Sequence, residues 1–298
     1  MRMVFMRSRA LLLVVTVLAA AATTGCLGPG GSARAQGTSD GPQVVTSFYP
    51  LQFVTERIGG DAVTVHNLTK PGAEPHDLEL TPRDVAELAD ADLVVYLSGF
   101  QPAVDTAVAE QASTSYDVAG AADLAGNDPH FWLDPVRLAD VADTVADRLA
   151  QLSPDDAASF RRNAGTLRTE LMALDADYAT GLAHCASTDL VTSHAAFGYL
   201  AQRYGLTQRG ITGLRPEDEP SPGDLAEIAD FVRAHDVRTI YSEALVSPAV
   251  AKTLARETGV RTAVLDPIEG LDDASAGADY LAVMRTNLAT LRAGQECR

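Results

Sequence analysis

Four side chains of metal-binding type lie where predicted β-strands end. His76 and His130 lie in the first half of the chain, each in a loop that leads to a helix. His194 and Asp266 lie in the second half, each shortly after a predicted strand. Ligands of open parallel sheets bind outside the carboxyl ends of the strands. We therefore expect these four side chains to meet at one site.

This set of residues favours binding over catalysis. Three imidazoles and one carboxylate form a tetrahedral set suited to a borderline divalent cation such as Zn²⁺. Four protein ligands close the coordination shell, whereas a hydrolytic zinc centre keeps a position for water and needs a general base. The chain also lacks a His-Glu-x-x-His motif. We predict that the protein is not an enzyme; a secreted zinc hydrolase and a metal-stapled adhesin are the alternatives.

The elements that must position these residues follow an alternating pattern. Short β-rich runs alternate with helical patterns, which predicts parallel sheets covered by helices. Thr81-Pro82 and Asp134-Pro135 are typical helix starts, with an N-cap residue followed by proline. Apolar residues recur at steps of three and four over residues 155–182, which predicts one helix about 40 Å long.

Such a helix is long enough to join two lobes. We therefore predict an α/β fold of two lobes with parallel sheets flanked by helices, joined by one long rigid interdomain helix. The predicted N-terminal lobe covers residues 43–152, the linking helix 153–183 and the C-terminal lobe 184–298.

The N-terminus resembles an export signal. Three arginines within the first nine residues precede an apolar run over 10–22, which predicts a secretory signal peptide at 1–25. The run ends in Thr23-Thr24-Gly25-Cys26, which resembles the lipobox of bacterial lipoproteins, with Thr23 in place of the usual large apolar residue.

We therefore expect Cys26 to carry a lipid and residues 26–42, rich in Gly, Ser, Ala and Pro, to form a flexible tether. The predicted location is extracytoplasmic, anchored to the cell membrane. Cleavage near Ala33-Arg34-Ala35, without a lipid, is the alternative.

The net charge argues against one class of partner, and the cysteines predict a covalent crosslink. The chain has 23 Lys and Arg against 40 Asp and Glu, a net charge of −17 that would repel nucleic-acid phosphates, so nucleic-acid binding is not expected. Cys185 and Cys297 form an even pair in an exported chain, and we predict a disulfide between them. Two buried free thiols are the alternative.

Several motifs resemble one known family over nearly all of residues 44–291. They are Ser47-Phe48-Tyr49-Pro50, Pro75-His76-Asp77, Asp128-Pro129-His130-Phe131-Trp132-Leu133, Thr192-Ser193-His194-Ala195-Ala196-Phe197-Gly198-Tyr199, Asn163, Glu219-Pro220-Ser221 and Leu265-Asp266-Pro267. They are similar to those of the metal-binding subunits of bacterial zinc and manganese ABC importers, close to the zinc-uptake solute-binding lipoproteins.

The resemblance implies a function and a set of partners. It implies His76, His130, His194 and Asp266 as ligands of a transported Zn²⁺, and a membrane permease with its ATPase as partners of a monomer. Manganese is the main competitor, although manganese-preferring relatives often carry a carboxylate at the third histidine position, here His194. Glu243 is either a carboxylate behind the ligands or a solvated side chain.

Overall fold

Two parallel four-stranded sheets, one in each half of the chain, form the framework of the protein. The computed structural model describes residues 41–271 and 279–298. The strands are β1 (Gln43–Thr46), β2 (Thr64–Asn67), β3 (Leu93–Tyr96), β4 (Ser115–Asp117), β5 (Asp189–Thr192), β6 (Thr207–Gly210), β7 (Thr239–Ser242) and β8 (Arg261–Val264). The strand order is β2-β1-β3-β4 in the first sheet and β6-β5-β7-β8 in the second.

Helices cover both sheets. The α-helices of the described residues are α1 (Tyr49–Gly59), α2 (Pro82–Asp90), α3 (Pro102–Gln111), α4 (Ala119–Ala122), α5 (Pro135–Leu152), α6 (Ala157–Gly181), α7 (Gly198–Tyr204), α8 (Pro222–Ala234), α9 (Ala249–Thr258) and α10 (Tyr280–Gly294). Each sheet is flanked by helices because its strands are parallel, and parallel neighbours need crossover connections. The predicted two-lobe α/β fold is confirmed.

Local sequence signals explain where two helices of the first lobe begin. The Thr81 side chain accepts a hydrogen bond from the backbone N–H of Asp84, and the Asp84 carboxylate accepts one from the N–H of Thr81 in return. This reciprocal pair is a capping box, which satisfies backbone donors that the first turn of a helix leaves free. The Asp134 carboxylate accepts from the N–H of Val136 in the same way. Both predicted helix starts are confirmed.

The long helix α6 contacts both halves of the chain. It begins at Ala157, after a 3₁₀ turn over Pro154–Asp156, and its apolar stripe is buried against α1, α5 and α10. Asn163 Nδ2 donates to the carbonyl of Ile58 at 2.8 Å, and Tyr178 Oη donates to the carbonyl of Met284 at 2.7 Å. One helix is therefore hydrogen-bonded to α1 of the first half near its start and to α10 of the second half near its end.

A disulfide fastens the C-terminal end of the fold. Cys185 and Cys297 are bonded, as predicted from the sequence. Beside the disulfide, the N–H of Arg298 donates to the carbonyl of His184 at 3.0 Å. In the part of the chain that is described, no helix combines the length and apolar character needed to cross a bilayer.

Two features differ from the sequence-based expectation. A helical pattern begins at Ala195, but α7 begins only at Gly198, because residues 193–197 form the bends and turns that carry His194 away from β5. The edge strands β4 and β6 were not predicted, since they are short and their sequences, SYD and TQRG, contain little apolar character.

Candidate metal centre

Three histidines and a glutamate converge at one buried point. The side chains of His76, His130, His194 and Glu269 place one potential ligand atom each within 4.8 Å of one another. None of the four residues is more than 7% exposed. Two of them come from loops of the first lobe and two from loops of the second, so the site lies between the sheets.

The spacing of the ligand atoms fits a tetrahedral ion. Glu269 Oε1 lies 3.3 Å from His76 Nε2, 3.1 Å from His130 Nε2 and 3.2 Å from His194 Nε2. His130 Nε2 and His194 Nε2 lie 3.3 Å apart. A tetrahedron with metal–ligand bonds of about 2.0 to 2.1 Å has edges of about 3.3 to 3.4 Å. These four distances therefore match the edges of a tetrahedral Zn²⁺ shell.

Carboxylates behind two of the rings orient them toward this space. His130 Nδ1 lies 2.7 Å from Asp128 Oδ1, and His194 Nδ1 lies 2.7 Å from Glu243 Oε2. A carboxylate at Nδ1 holds the proton on that nitrogen and leaves Nε2 as the metal-facing lone pair. Glu243 is only 5% exposed and also accepts from the N–H of His194 at 3.0 Å, so it is not a solvated side chain.

The loop that carries His76 is held in place by a buried side chain. Gln101, which is buried, donates from Nε2 to the carbonyl of Pro75 and to Thr69 Oγ1, each at 3.1 Å. The ring of His76 packs edge-on against Phe100, with ring centroids 4.7 Å apart. The position of His76 is therefore fixed by packing and by backbone contacts.

The buried carboxylates of the site raise the proton affinity of the imidazole that they contact. Burial lowers the pKa of His194, but contacts with Glu243 and Glu269 outweigh burial and raise this pKa to about 10. Burial raises the pKa of Glu269, but hydrogen bonds from the three histidines outweigh it and hold this pKa well below its usual value. Without metal, the His194 imidazole is therefore protonated and the Glu269 carboxylate is charged. A metal ion entering the site must displace that proton.

Comparison with known proteins identifies the family of this chain. Residues 44–294 match the family described as zinc-uptake complex component A, periplasmic (ZnuA). The chain belongs to this family. Its members are solute-binding proteins, and solved structures of similar proteins have the same two-lobe fold.

Individual relatives agree with that assignment. The chain is 37% identical over 274 residues to the zinc-binding lipoprotein AdcA of Streptococcus pneumoniae, covering 84% of this chain. The match extends over 55% of AdcA, so the chain spans about half the length of this curated relative.

Solved structures of similar proteins share the fold. The laminin-binding protein Lmb of Streptococcus agalactiae, a bifunctional protein with adhesin and metal-transporting activity, matches with a TM-score of 0.80 and 35% identity, covering 86% of this chain and all of Lmb. The Zn(II)-bound ZnuA-like domain of S. pneumoniae AdcA matches with a TM-score of 0.75 and 36% identity, covering 86% of this chain and 99% of that domain. Zinc is therefore the metal bound by a close structural counterpart of this ZnuA-family chain.

The structure of this ZnuA-family chain places Glu269, not Asp266, against the three histidines. Asp266 Oδ1 accepts a hydrogen bond from the N–H of Ile268 at 2.8 Å. The Asn287 side chain accepts from the N–H of Asp266 at 3.0 Å and donates to its carbonyl at 2.7 Å. Ile268 has a positive φ of 58°, an unusual conformation for a β-branched residue. This turn points the side chain of Glu269 toward the site. The prediction of Asp266 as the fourth member of the cluster is corrected accordingly.

Sequence reasoning missed Glu269 although a signal was present. It lies only three residues after Asp266, in the same loop, and is a carboxylate in an otherwise apolar and proline-containing stretch. The rule that ligands follow strands directly selected the first acidic residue and passed over the second. The predicted signal peptide, Cys26 and residues 26–40 of the tether lie outside the described residues.

Proposed function

We propose that this protein is the extracytoplasmic metal-binding subunit of an ABC importer, which captures Zn²⁺ between its two lobes and delivers it to a membrane permease driven by an ATPase. The observation that carries the proposal is the convergence of three Nε2 atoms and one carboxylate oxygen at tetrahedral spacing. In this proposal His76, His130, His194 and Glu269 are the ligands of the transported ion, and no ligand position is left for catalytic water.

Capture follows from the properties of the site. A hydrated ion enters between the lobes, and four protein atoms replace its water while the histidines lose their protons. Asp128 and Glu243 keep the rings of His130 and His194 in the binding orientation. Three nitrogen ligands favour zinc over manganese, since Mn²⁺ prefers oxygen donors. Manganese therefore remains the competing cargo, bound more weakly.

The same proposal covers location and organisation. Cys26 anchors the chain to the membrane through a lipid, and the tether over 26–42 gives the binding lobes reach. The name lipoprotein carried by AdcA supports this anchor. We further propose that the protein acts as a monomer, with lobes over 43–152 and 184–298 and a linking segment over 153–183.

A pair of acidic-to-amide substitutions tests the ligand set. Glu269→Gln removes the anionic oxygen from the cluster, and we expect the zinc affinity to fall by more than about 100-fold, since the loss of a direct ligand exceeds the usual effect of changes behind the ligands. Asp266→Asn is the matched control, because it changes a carboxylate three residues away. Competition with a zinc chelator of known affinity measures both. If Asp266→Asn weakens zinc binding more than Glu269→Gln, the ligand assignment is wrong.

Delivery requires a cellular measurement. In the organism that carries this gene, replacement of the gene by the Glu269→Gln variant should reduce growth in zinc-depleted medium, and added zinc should restore it. Restoration by manganese and not by zinc would identify manganese as the cargo. Normal zinc uptake with a variant that no longer binds zinc would contradict the transport role.

A further inference from the structure

A second cluster of metal-binding groups lies on the outer part of the first lobe. His66 on β2 and Asp84 and Glu87 on α2 each offer a ligand atom, and these atoms lie within 4.8 Å of one another. His66 Nε2 lies 2.6 Å from Glu87 Oε2. The side chain of His66 is 51% exposed, so water can reach the cluster and complete a coordination shell.

The carboxylates have oxygens left for a cation. Asp84 uses Oδ2 to accept from Thr81 in the capping box, which leaves its second oxygen. Glu87 uses Oε1 to accept from Arg83 Nε at 2.9 Å. Its other oxygen, Oε2, is shielded from solvent and lies 2.6 Å from His66 Nε2. An ionised carboxylate has about four lone-pair sites, so Glu87 can bind a cation in addition to its contacts with Arg83 and His66.

The second lobe shows what occupies the equivalent position there. His66 pairs with Val45 in the first sheet, and Arg209 pairs with Val191 in the second. Both β2 and β6 are edge strands of sheets with the same strand order. His66 and Arg209 therefore occupy corresponding positions in the two sheets.

The partner helices correspond as well. Helices α2 and α8 both begin with a capping box, with Asp84 and Asp224 at the third helical position. Glu87 and Glu227 each follow three residues later. Arg209 lies 3.7 Å from Glu227, so a permanent cation balances that carboxylate. In the first lobe the same place holds an imidazole, which can share a carboxylate with a metal ion.

We propose that His66, Asp84 and Glu87 form a second, solvent-facing site for a divalent cation of zinc type, separate from the buried centre. One nitrogen and two carboxylate oxygens bind the ion, and water supplies the remaining positions. Because this site has fewer protein ligands and faces solvent, its affinity is lower than that of the central site. The proposal stands independently of the transport role.

Zinc stoichiometry tests this site. The purified chain is loaded with one equivalent of Zn²⁺, and equilibrium dialysis against further Zn²⁺ then measures any second binding event. We expect the parent protein to bind a second equivalent and His66→Gln to weaken this event by more than about tenfold. His235→Gln is the matched control, because His235 is similarly exposed and lies 3.2 Å from a single carboxylate, that of Asp189.

A variant of the central site separates the two proposals. His194→Ala should remove the tight event and leave the weak one. The second site is refuted if the parent binds one equivalent only, if His66→Gln keeps the weak event unchanged, or if His235→Gln abolishes it equally. Melting temperatures of the metal-free variants confirm that each is folded.

Discussion

The two lobes share one architecture but use it differently. In both sheets the second strand in sequence lies at one edge and the first strand lies next to it, and the helices α2 and α8 both begin with a capping box. The metal-binding groups do not follow this correspondence. The first lobe supplies His76 from the loop after β2 and His130 from the loop between α4 and α5, whereas the second supplies His194 after β5 and Glu269 after β8.

One pair of corresponding positions shows how the lobes diverge. Strands β1 and β5 occupy the same place in their sheets, and their sequences continue as Thr46-Ser47-Phe48 and Thr192-Ser193-His194. Phe48 is fully buried and packs against Phe100, with ring centroids 4.8 Å apart. The same backbone position thus carries a core side chain in one lobe and a metal-type side chain in the other. The scaffold sets where a side chain points, and residue type decides what it does there.

Removing the disulfide between Cys185 and Cys297 tests how much this bond stabilises the second lobe. We expect the double variant Cys185→Ser, Cys297→Ser to lose about 4 to 5 kcal/mol of unfolding free energy, because the bond closes a loop with a sequence separation of 112 residues. Urea denaturation under oxidising conditions measures the difference. The parent protein with a reducing agent should behave like the variant; a loss below about 1 kcal/mol would show that the loop is constrained by other contacts.

Making the two lobes alike at one position tests the role of His194. His194→Phe copies Phe48 of the first lobe, and we expect the zinc affinity to fall by more than about 100-fold, equivalent to about 2.7 kcal/mol. His194→Ala should show the same loss, which separates ligand removal from crowding by the larger ring. His184→Phe, at an exposed position, is the control. Zinc binding by His194→Phe at parental affinity would remove this residue from the centre.

The capping boxes of α2 and α8 allow a direct comparison of the two lobes, with the smallest expected change in stability. Thr81→Ala and Ser221→Ala each remove the side-chain acceptor at the start of a helix, and we expect each to cost about 1 kcal/mol of unfolding free energy. Ser113→Ala, at an exposed turn, should change it little. Denaturation of the metal-free proteins measures the three. A strong effect in one lobe only would show that the two capping boxes do not stabilise the protein equally.

Much of the fold followed from local signals. Thr81 and Asp134 predicted helix starts because a capping side chain followed by proline has a short-range physical cause. The long helix was visible because six apolar residues repeat at helical spacing, and all six are buried. The edge strand β6 was not visible, since its pairing with β5 depends on a distant partner and its own four residues are polar or small.

The site was predictable only in part for a similar reason. His76, His130 and His194 stand out because histidine is rare in this chain, with six in all, and these three lie beside strand ends. The choice between Asp266 and Glu269 depends on the turn at Ile268 and on the contacts of Asn287, which lies 21 residues from Asp266. No local pattern encodes that turn. Acidic residues near a strand end therefore identify a candidate loop, and the folded backbone selects among them.

The single tryptophan of the chain has a practical consequence. Trp132 is fully buried, and its ring centroid lies 5.2 Å from that of His130. Its Nε1 donates to the carbonyl of Pro267 at 2.7 Å, in the loop that carries Glu269. The tryptophan fluorescence of the protein thus comes from one residue, in contact with both lobes, so its spectrum is an unlabelled optical reporter of the state of the cleft.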